Sequence, residues 1–300
     1  MLSLMSKKDN IYSQNGEDGI IKSIFQALDI KHGFFCEFGA WDGMYLSNTY
    51  NLYKQGWVGL YIEGNKIKFK DLVLNIKSPE VEKVCAWVSL DGASSLDNIL
   101  NKSVGFKKNG SKLDLLSIDI DSDDLAIWRS IKTCRPTVVV IEYNWTIPFD
   151  TFFENPSGEN KGNSALSIHE FAKHANYDLI GVTSCNLIFI DKSKNNNLFE
   201  IIHLNDPKVE RGVRYFFGYD GTLISIKAGT NKEKYDCSEI MTVPWNSGFF
   251  SQPVSKSLRK FDNKIIKFTN LFLSITSTLI RRPFSTTNKI ILLCLKKIHG

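Results

Sequence analysis

The chain has 300 residues, 43% of them hydrophobic and 23% charged, with a formal net charge of +5. That length buries a full core, and that balance excludes a disordered or collagen-like chain. The charge is uneven: from Ser251 onward ten Lys and Arg oppose Asp262 alone, +9 in all, so the first 250 residues carry −4 and the body offers no basic field for a nucleic acid.

In chain order, YSQNGEDGII (Tyr12 to Ile21) predicts a helix start, with Asn15 as cap and Glu17 and Asp18 in the first turn. Gln14 and Glu17 are also candidates to line the entrance of a pocket and touch a substrate. FFCEF is a short apolar run, and Asn48 to Gln55 predicts a helix with Ser47 or Asn48 as N-cap and Gly56 as its stop. WVGLYIE is a second run and VCAWVSL, Val84 to Leu90, a third. SSLDNIL reads as a helix, LDLLSIDI as a fourth strand, DDLAIWRSI as a helix and TVVVIEYN as a fifth strand. Apolar runs of this kind, separated by helices, predict an α/β sandwich around a parallel sheet buried on both faces.

Beyond the polar loop ENPSGENKGNS, ALSIHEFAKHANY predicts a helix with Leu166, Phe171 and Ala175 on its core side. DLIGVTS and NLIFID follow with no room for a helical crossover, which predicts an antiparallel hairpin. RYFFGYDGTLISIKA carries a further hairpin with Asp220 and Gly221 at its turn. In the tail, Ile265, Phe268, Phe272, Ile275 and Leu279 recur at helical spacing, and the thirteen residues between Lys267 and Arg281 are too few and too polar to span a bilayer. The tail is therefore expected to be a basic amphipathic helix attached peripherally to an anionic membrane surface, or packed on protein. The domains so read are 1–191, a β-rich extension over 192–254, and the tail over 255–300. Cys36, Cys85, Cys134, Cys185, Cys237 and Cys294 form no CxxC pair, and no apolar stretch of signal-peptide length follows Lys7 and Lys8. Both features point to a reducing, cytoplasmic setting, on the inner face of the membrane if the tail attaches there.

Ligands of an open α/β sheet sit beyond the carboxyl ends of its strands, and the polar residues collect there. Gly39 and Gly43 give a tight turn after the first strand, with Ala40, Trp41 and Asp42 inside it. Glu63, 24 residues after Gly39 at the end of the second strand, is placed to accept two ribose hydroxyls. The G-x-x-x-G spacing is not the dinucleotide GxGxxG, and Glu37 and Asp42 put negative charge where a pyrophosphate would lie. A sulfonium bearing an amino group would be welcome there, which selects S-adenosylmethionine, with Ser47 and Asn48 as further cofactor contacts. Trp87 is a candidate to stack on adenine or a core tryptophan.

In SIDIDSDD, Asp119, Asp121, Asp123 and Asp124 crowd the end of the fourth strand. Asp123 or Asp124 can serve the following helix as cap and first turn. Asp119 and Asp121, with Glu142 from the fifth strand, form an all-oxygen set suited to Mg²⁺, or one of the aspartates acts as general base. Asn144 lies beside them as a substrate contact. His169 and His174 diverge around one helix, and His169 is the alternative base.

With these residues in place, YSQNGEDGII, FFCEFGAWDGMYLSNT, GWVGLYIEGN, LLSIDIDSDD and VVVIEYN, in this order over residues 10 to 191, resemble the FkbM-type S-adenosylmethionine-dependent methyltransferases associated with polysaccharide biosynthesis. The resemblance implies a Rossmann-like methyltransferase sheet, mostly parallel and seven-stranded with a C-terminal antiparallel hairpin. It also implies that Glu37 to Gly43 contact the methionine part, Glu63 the ribose, and the Asp119 region the reaction centre. The glycine loop lacks the middle glycine of the E-x-G-x-G-x-G pattern, and DIDSDD is more acidic than the single-acid version. The implied acceptor is a sugar, nucleotide-sugar or lipid-linked glycan hydroxyl. The rival readings are a metal-dependent glycosyltransferase using Asp119 and Asp121 as its D-x-D, and a non-catalytic sugar-binding or scaffold protein.

Overall fold

The computed structural model describes residues 1–206, residue 209, and the backbone of three short strands beyond them. The predicted tail helix and the Asp220–Gly221 turn lie outside the described residues. The first compact unit, Met1–Val213, runs in the order α1 (Glu17–Ala27), β1 (Phe34–Phe38), α2 (Tyr50–Lys54), β2 (Val58–Glu63), α3 (Lys66–Asn75), β3 (Val81–Cys85), α4 (Leu96–Lys102), α5 (Val104–Lys108), β4 (Leu115–Ile118), α6 (Asp124–Ser130), β5 (Val138–Glu142), α7 (Ala165–His174), β6 (Tyr177–Val182), β7 (Asn186–Asp191) and α8 (Lys192–Asn195).

Its seven strands pair in the order β3-β2-β1-β4-β5-β7-β6. The first five are parallel, and β7 runs antiparallel to both β5 and β6. This is the Rossmann-like methyltransferase sheet expected from the sequence. The chain reverses its direction of winding between β1 and β4, which opens a crevice at their carboxyl ends.

Alternation along the strands sorts the core into two layers. Phe35, Tyr61, Leu115, Val138, Val140 and Ile188 meet Ile20, Ile21, Ile24 and Phe25 of α1 on one face. Phe34, Cys36, Leu60, Leu116, Val139 and Phe189 meet residues of α4, α5, α6 and α7 on the other. The fully buried β1, β4 and central β5 residues leave no polar side to these strands, the pattern of a sheet covered on both faces.

Three local expectations are corrected. The third strand covers Val81–Cys85, not Val84 to Leu90. As an edge strand it is only half buried and accommodates Glu82 and Lys83, whose charges suit an edge. The N-cap of α1 is Gly16, at φ +97°, and not Asn15; the Asn15 amide reaches Cys185 instead. On α7 the core side runs through Ala165, Ile168 and Ala172 with the expected Phe171 and Ala175 packed at its margin, and only Leu166 departs, half exposed and outside the core cluster.

The remaining described elements are β8 (Val213–Phe217), β9 (Leu223–Lys227) and β10 (Ile240–Met241), which form a three-stranded sheet in the order β10-β9-β8 with β9 and β10 antiparallel. Both flanks of the predicted hairpin are thus neighbouring strands. Among the described residues the four cysteines, Cys36, Cys85, Cys134 and Cys185, are free, and no helix is long and apolar enough to cross a membrane.

Candidate functional site

Strand register assembles the site. Glu37 lies beside Tyr61 and Ser117, Ser117 beside Val140, and Val140 beside Ile188, one row across the α1 face of the sheet. Two residues further toward the carboxyl edge, the same period of two brings up Gly39, Glu63, Asp119 and Glu142, with Asn186 of β7 paired to Glu142. The carboxyl ends of five strands therefore converge, with Glu63 and Glu142 closing β2 and β5, Asn186 opening β7, and Gly39 and Asp119 one position past β1 and β4.

Gly39 makes the row possible. Its φ is +77°, and a Cβ built there would lie 1.6 Å from the Asp119 carbonyl oxygen. The turn is held by the Gly39 and Ala40 N–H groups, which both donate to the Ile62 carbonyl at 3.1 and 3.2 Å. Gly43, at φ +73°, closes the turn against Leu72 of α3. The Asp42 carboxylate accepts the N–H groups of Met44 and Tyr45, which shapes the loop from within.

Glu63 is buried, and each of its oxygens accepts one backbone N–H: Trp41 at 2.7 Å and Asn65 at 2.6 Å. A carboxylate has about four acceptor positions, so two remain for a ligand while the bonds already made fix its orientation. Trp87 sits just past β3 with its ring over Gly64. Its side chain is 73% exposed, which excludes the core reading and leaves the ring available to stack.

Glu37 does not face the ligand space. It is buried and accepts from the hydroxyls of Ser47 and Thr49, each at 2.6 Å, and from the Asn48 N–H. The Asn48 amide continues to Ser117 Oγ, and Thr49 Oγ1 to Tyr61 Oη. Burial raises the Glu37 carboxyl above its ordinary value despite these donors. Glu37, Ser47 and Asn48 thus form one buried knot under the site, and the Ser47 hydroxyl accepts the N–H groups of Thr49 and Tyr50 at the start of α2.

The acids divide as follows. Asp124, in the first turn of α6, is buried and accepts the Ile120 and Ser122 N–H groups; burial pushes it up to about 6. Asp123 accepts the Asn155 amide. Asp119, Asp121 and Glu142 present oxygens that all lie within 4.8 Å of one another. Asp119 is open to solvent on one side and ringed by protein on the others. That enclosure, with Asp124 and Asp121 beside it, pushes its carboxyl up to about 7. Burial and then the charge of Asp119 push Glu142 well above the ordinary range. Asp121 stands at φ +58°, a left-handed position at the head of the loop.

Three other expected residues play different parts. Glu17 is fully buried and accepts the Asn15 N–H, the Thr183 hydroxyl and the Asn186 amide, so it ties α1 to the β6–β7 hairpin and lines no entrance. Asn144 spends its amide on Lys161 and Thr146, organising the loop after β5. His169 is lowered first by burial, and the charges acting on it are Glu170, Lys173 and His203, none of them from the acid cluster. Gln14 is exposed and accepts from Cys185, whose surroundings include Glu17, Glu142 and Asp119. A separate cavity of about 340 Å³ opens at the opposite, amino-terminal edge beside Trp57 and the end of α1, remote from this row. Sequence reading missed Thr49, Ser117 and Asn186; the period-two register would have found the last two once the strands were aligned.

No family model and no curated protein matches the chain. Among solved structures it is similar to a TehB-like SAM-dependent methyltransferase from Corynebacterium glutamicum, at 16% identity over 61% of this chain and 90% of that one, with a TM-score of 0.37. It is similar to a S-adenosylmethionine-dependent methyltransferase from Clostridium acetobutylicum at 9% identity over 58% and 89%, TM-score 0.35. A third is M. capricolum TrmK in complex with S-adenosyl-homocysteine, at 12% identity over 56% and 67%, TM-score 0.31. Scores this low carry no inference to activity.

Proposed function

We propose that the chain is an S-adenosylmethionine-dependent methyltransferase that O-methylates a sugar hydroxyl, free, nucleotide-linked or lipid-linked, of the kind built into surface polysaccharides. The observation that carries the reading is the meeting of Gly39, Glu63, Asp119 and Glu142 at the carboxyl ends of β1, β2, β4 and β5, at the switch point of the sheet. In this reading Glu63 accepts the two ribose hydroxyls, Trp87 covers the adenine, and the backbone from Gly39 to Gly43 borders the methionine part. The acidic surroundings favour a ligand carrying both a sulfonium and an ammonium charge.

The acceptor hydroxyl lies over Asp119. Its oxygen forms a bond to the methyl carbon as the carbon–sulfur bond breaks; the bonding pair stays on sulfur, giving a neutral thioether, and the hydroxyl proton passes to Asp119. Most of the acceleration comes from holding oxygen, carbon and sulfur in line, worth up to about 7–11 kcal/mol.

Calorimetry with S-adenosylhomocysteine tests the cofactor assignment. Glu63→Ala loses charge-assisted bonds of roughly 1.5–3 kcal/mol each, so affinity falls about tenfold or more. Unchanged affinity in that variant removes the ribose contact, and no binding to the intact protein removes the reading. Mass spectrometry of nucleotide sugars and glycolipids incubated with isotope-labelled S-adenosylmethionine tests the acceptor class.

A further inference from the structure

The row ends on a group that no protein partner satisfies. Asn186 is 3% exposed. Its Nδ2 donates to Glu17 Oε1 at 3.0 Å and to Cys185 Sγ, yet its Oδ1 accepts nothing. The Tyr143 N–H donates to the Cys185 carbonyl at 2.8 Å, so the next pair along the ladder, Glu142 with Asn186, is of the close, non-hydrogen-bonded kind. Both side chains stand on the α1 face, and Glu142 in turn shares its cluster with Asp119 and Asp121. No Lys or Arg among the described residues pairs with any of these three acids. A buried amide oxygen without a donor costs about 1–3 kcal/mol, and three carboxylates this close repel one another. One positive ion relieves both.

We propose that Asp119, Asp121 and Glu142, completed by Asn186 Oδ1, hold a divalent cation. Every donor is a hard oxygen, three of them anionic, which selects Mg²⁺, Mn²⁺ or Ca²⁺ over Zn²⁺. The cation sits beside the space assigned to the acceptor hydroxyl. Its role there rests on the methyl-transfer reading: it orients that oxygen and favours its deprotonation. Its binding does not depend on that reading.

The full-length protein, stripped with a chelator and titrated with Mn²⁺, is read by the loss of the free-ion paramagnetic resonance signal. One Mn²⁺ per chain is expected. Asp121→Asn keeps a residue that tolerates the left-handed backbone, and Glu142→Gln keeps the side-chain volume; each weakens Mn²⁺ binding by at least about tenfold. Melting temperatures without metal that stay equal to or above that of the unaltered protein show that both variants fold. No Mn²⁺ uptake at millimolar concentration, or uptake that both variants retain in full, overturns the proposal. S-adenosylhomocysteine calorimetry on the stripped protein separates the two readings, because cofactor binding without Mn²⁺ uptake removes the cation alone.

Discussion

Replacing Gly39 by Ala perturbs the site at its tightest point. The added Cβ arrives 1.6 Å from the Asp119 carbonyl oxygen and 2.6 Å from its carbon, where contacts under 3.0 Å are not tolerated. Both partners are backbone, so the end of β1 and the loop after β4 must separate by at least about 1.4 Å. The left-handed φ costs about 1–2 kcal/mol for a residue with a Cβ. The forced separation adds about 1–3 kcal/mol of overpacking. Gly110, at φ +67° with nothing within 4 Å, isolates the first contribution. Urea unfolding should therefore place Gly39→Ala roughly 2–5 kcal/mol below the unaltered protein and Gly110→Ala about 1–2 kcal/mol below it. Because Asp119 moves with the loop, Gly39→Ala should also lose S-adenosylhomocysteine binding that Gly110→Ala keeps. Equal stability losses in the two variants, or a Gly39→Ala protein with intact binding, would refute the close approach as the organising contact.

Glu17→Ala leaves the Thr183 hydroxyl, the Asn186 amide and the Asn15 N–H without their acceptor. A loss of roughly 3 kcal/mol or more is expected in urea unfolding, with Glu17→Gln much milder; a neutral Glu17→Ala sinks the tie between α1 and the hairpin. Burial pushes Asp191 up, but Arg135 and the Ser193 groups outweigh it and hold the carboxyl below its ordinary value. A lowered native value gives stability that is present above the unfolded value of about 3.9 and lost as pH falls through the native one. Arg135→Met should flatten this acid limb by under about 1 kcal/mol, since the guanidinium is half exposed; an unchanged limb in unfolding curves at successive pH values removes the pair from the account. Trp87→Ala should leave stability within about 0.5 kcal/mol. It should weaken S-adenosylhomocysteine binding by roughly tenfold if its ring stacks on adenine, and calorimetry that finds no change assigns the ring to something else.

Where both faces of a strand are covered, the sequence was readable. FFCEF, WVGLYIE, LDLLSIDI and TVVVIEYN are predominantly apolar because β1, β2, β4 and β5 meet helices on either side. The edge strand broke that rule. VEKVC looks polar because one side of it meets solvent, and the more apolar AWVSL that follows is the loop carrying Trp87. Helix α3 escaped notice since it exposes Ile67, Val73 and Leu74 and buries only Leu72, so no apolar stripe marks it. Glu63, Gly39 and Asp119, which the proposed function uses, stand at strand ends, as their sequence positions predict. Glu37, Glu17 and Asn144 were not legible, because each spends its oxygens on neighbouring chain, and only three-dimensional hydrogen bonding distinguishes an acid that greets a ligand from one that staples a loop.

The knot beneath the row has a bearing on how such a protein diversifies. Ser47, Thr49, Tyr61 and Ser117 lock onto Glu37 and each other, so the base of the cleft is a rigid pavement that cannot be deepened without breaking several bonds at once. Under the proposed function, selectivity for one acceptor over another must then be written in the surrounding walls. The segments 41–46, 86–91, 120–123 and 144–163 follow the carboxyl ends of β1, β3, β4 and β5, and under the proposed function exchanging them offers a route to new substrates over an unaltered base.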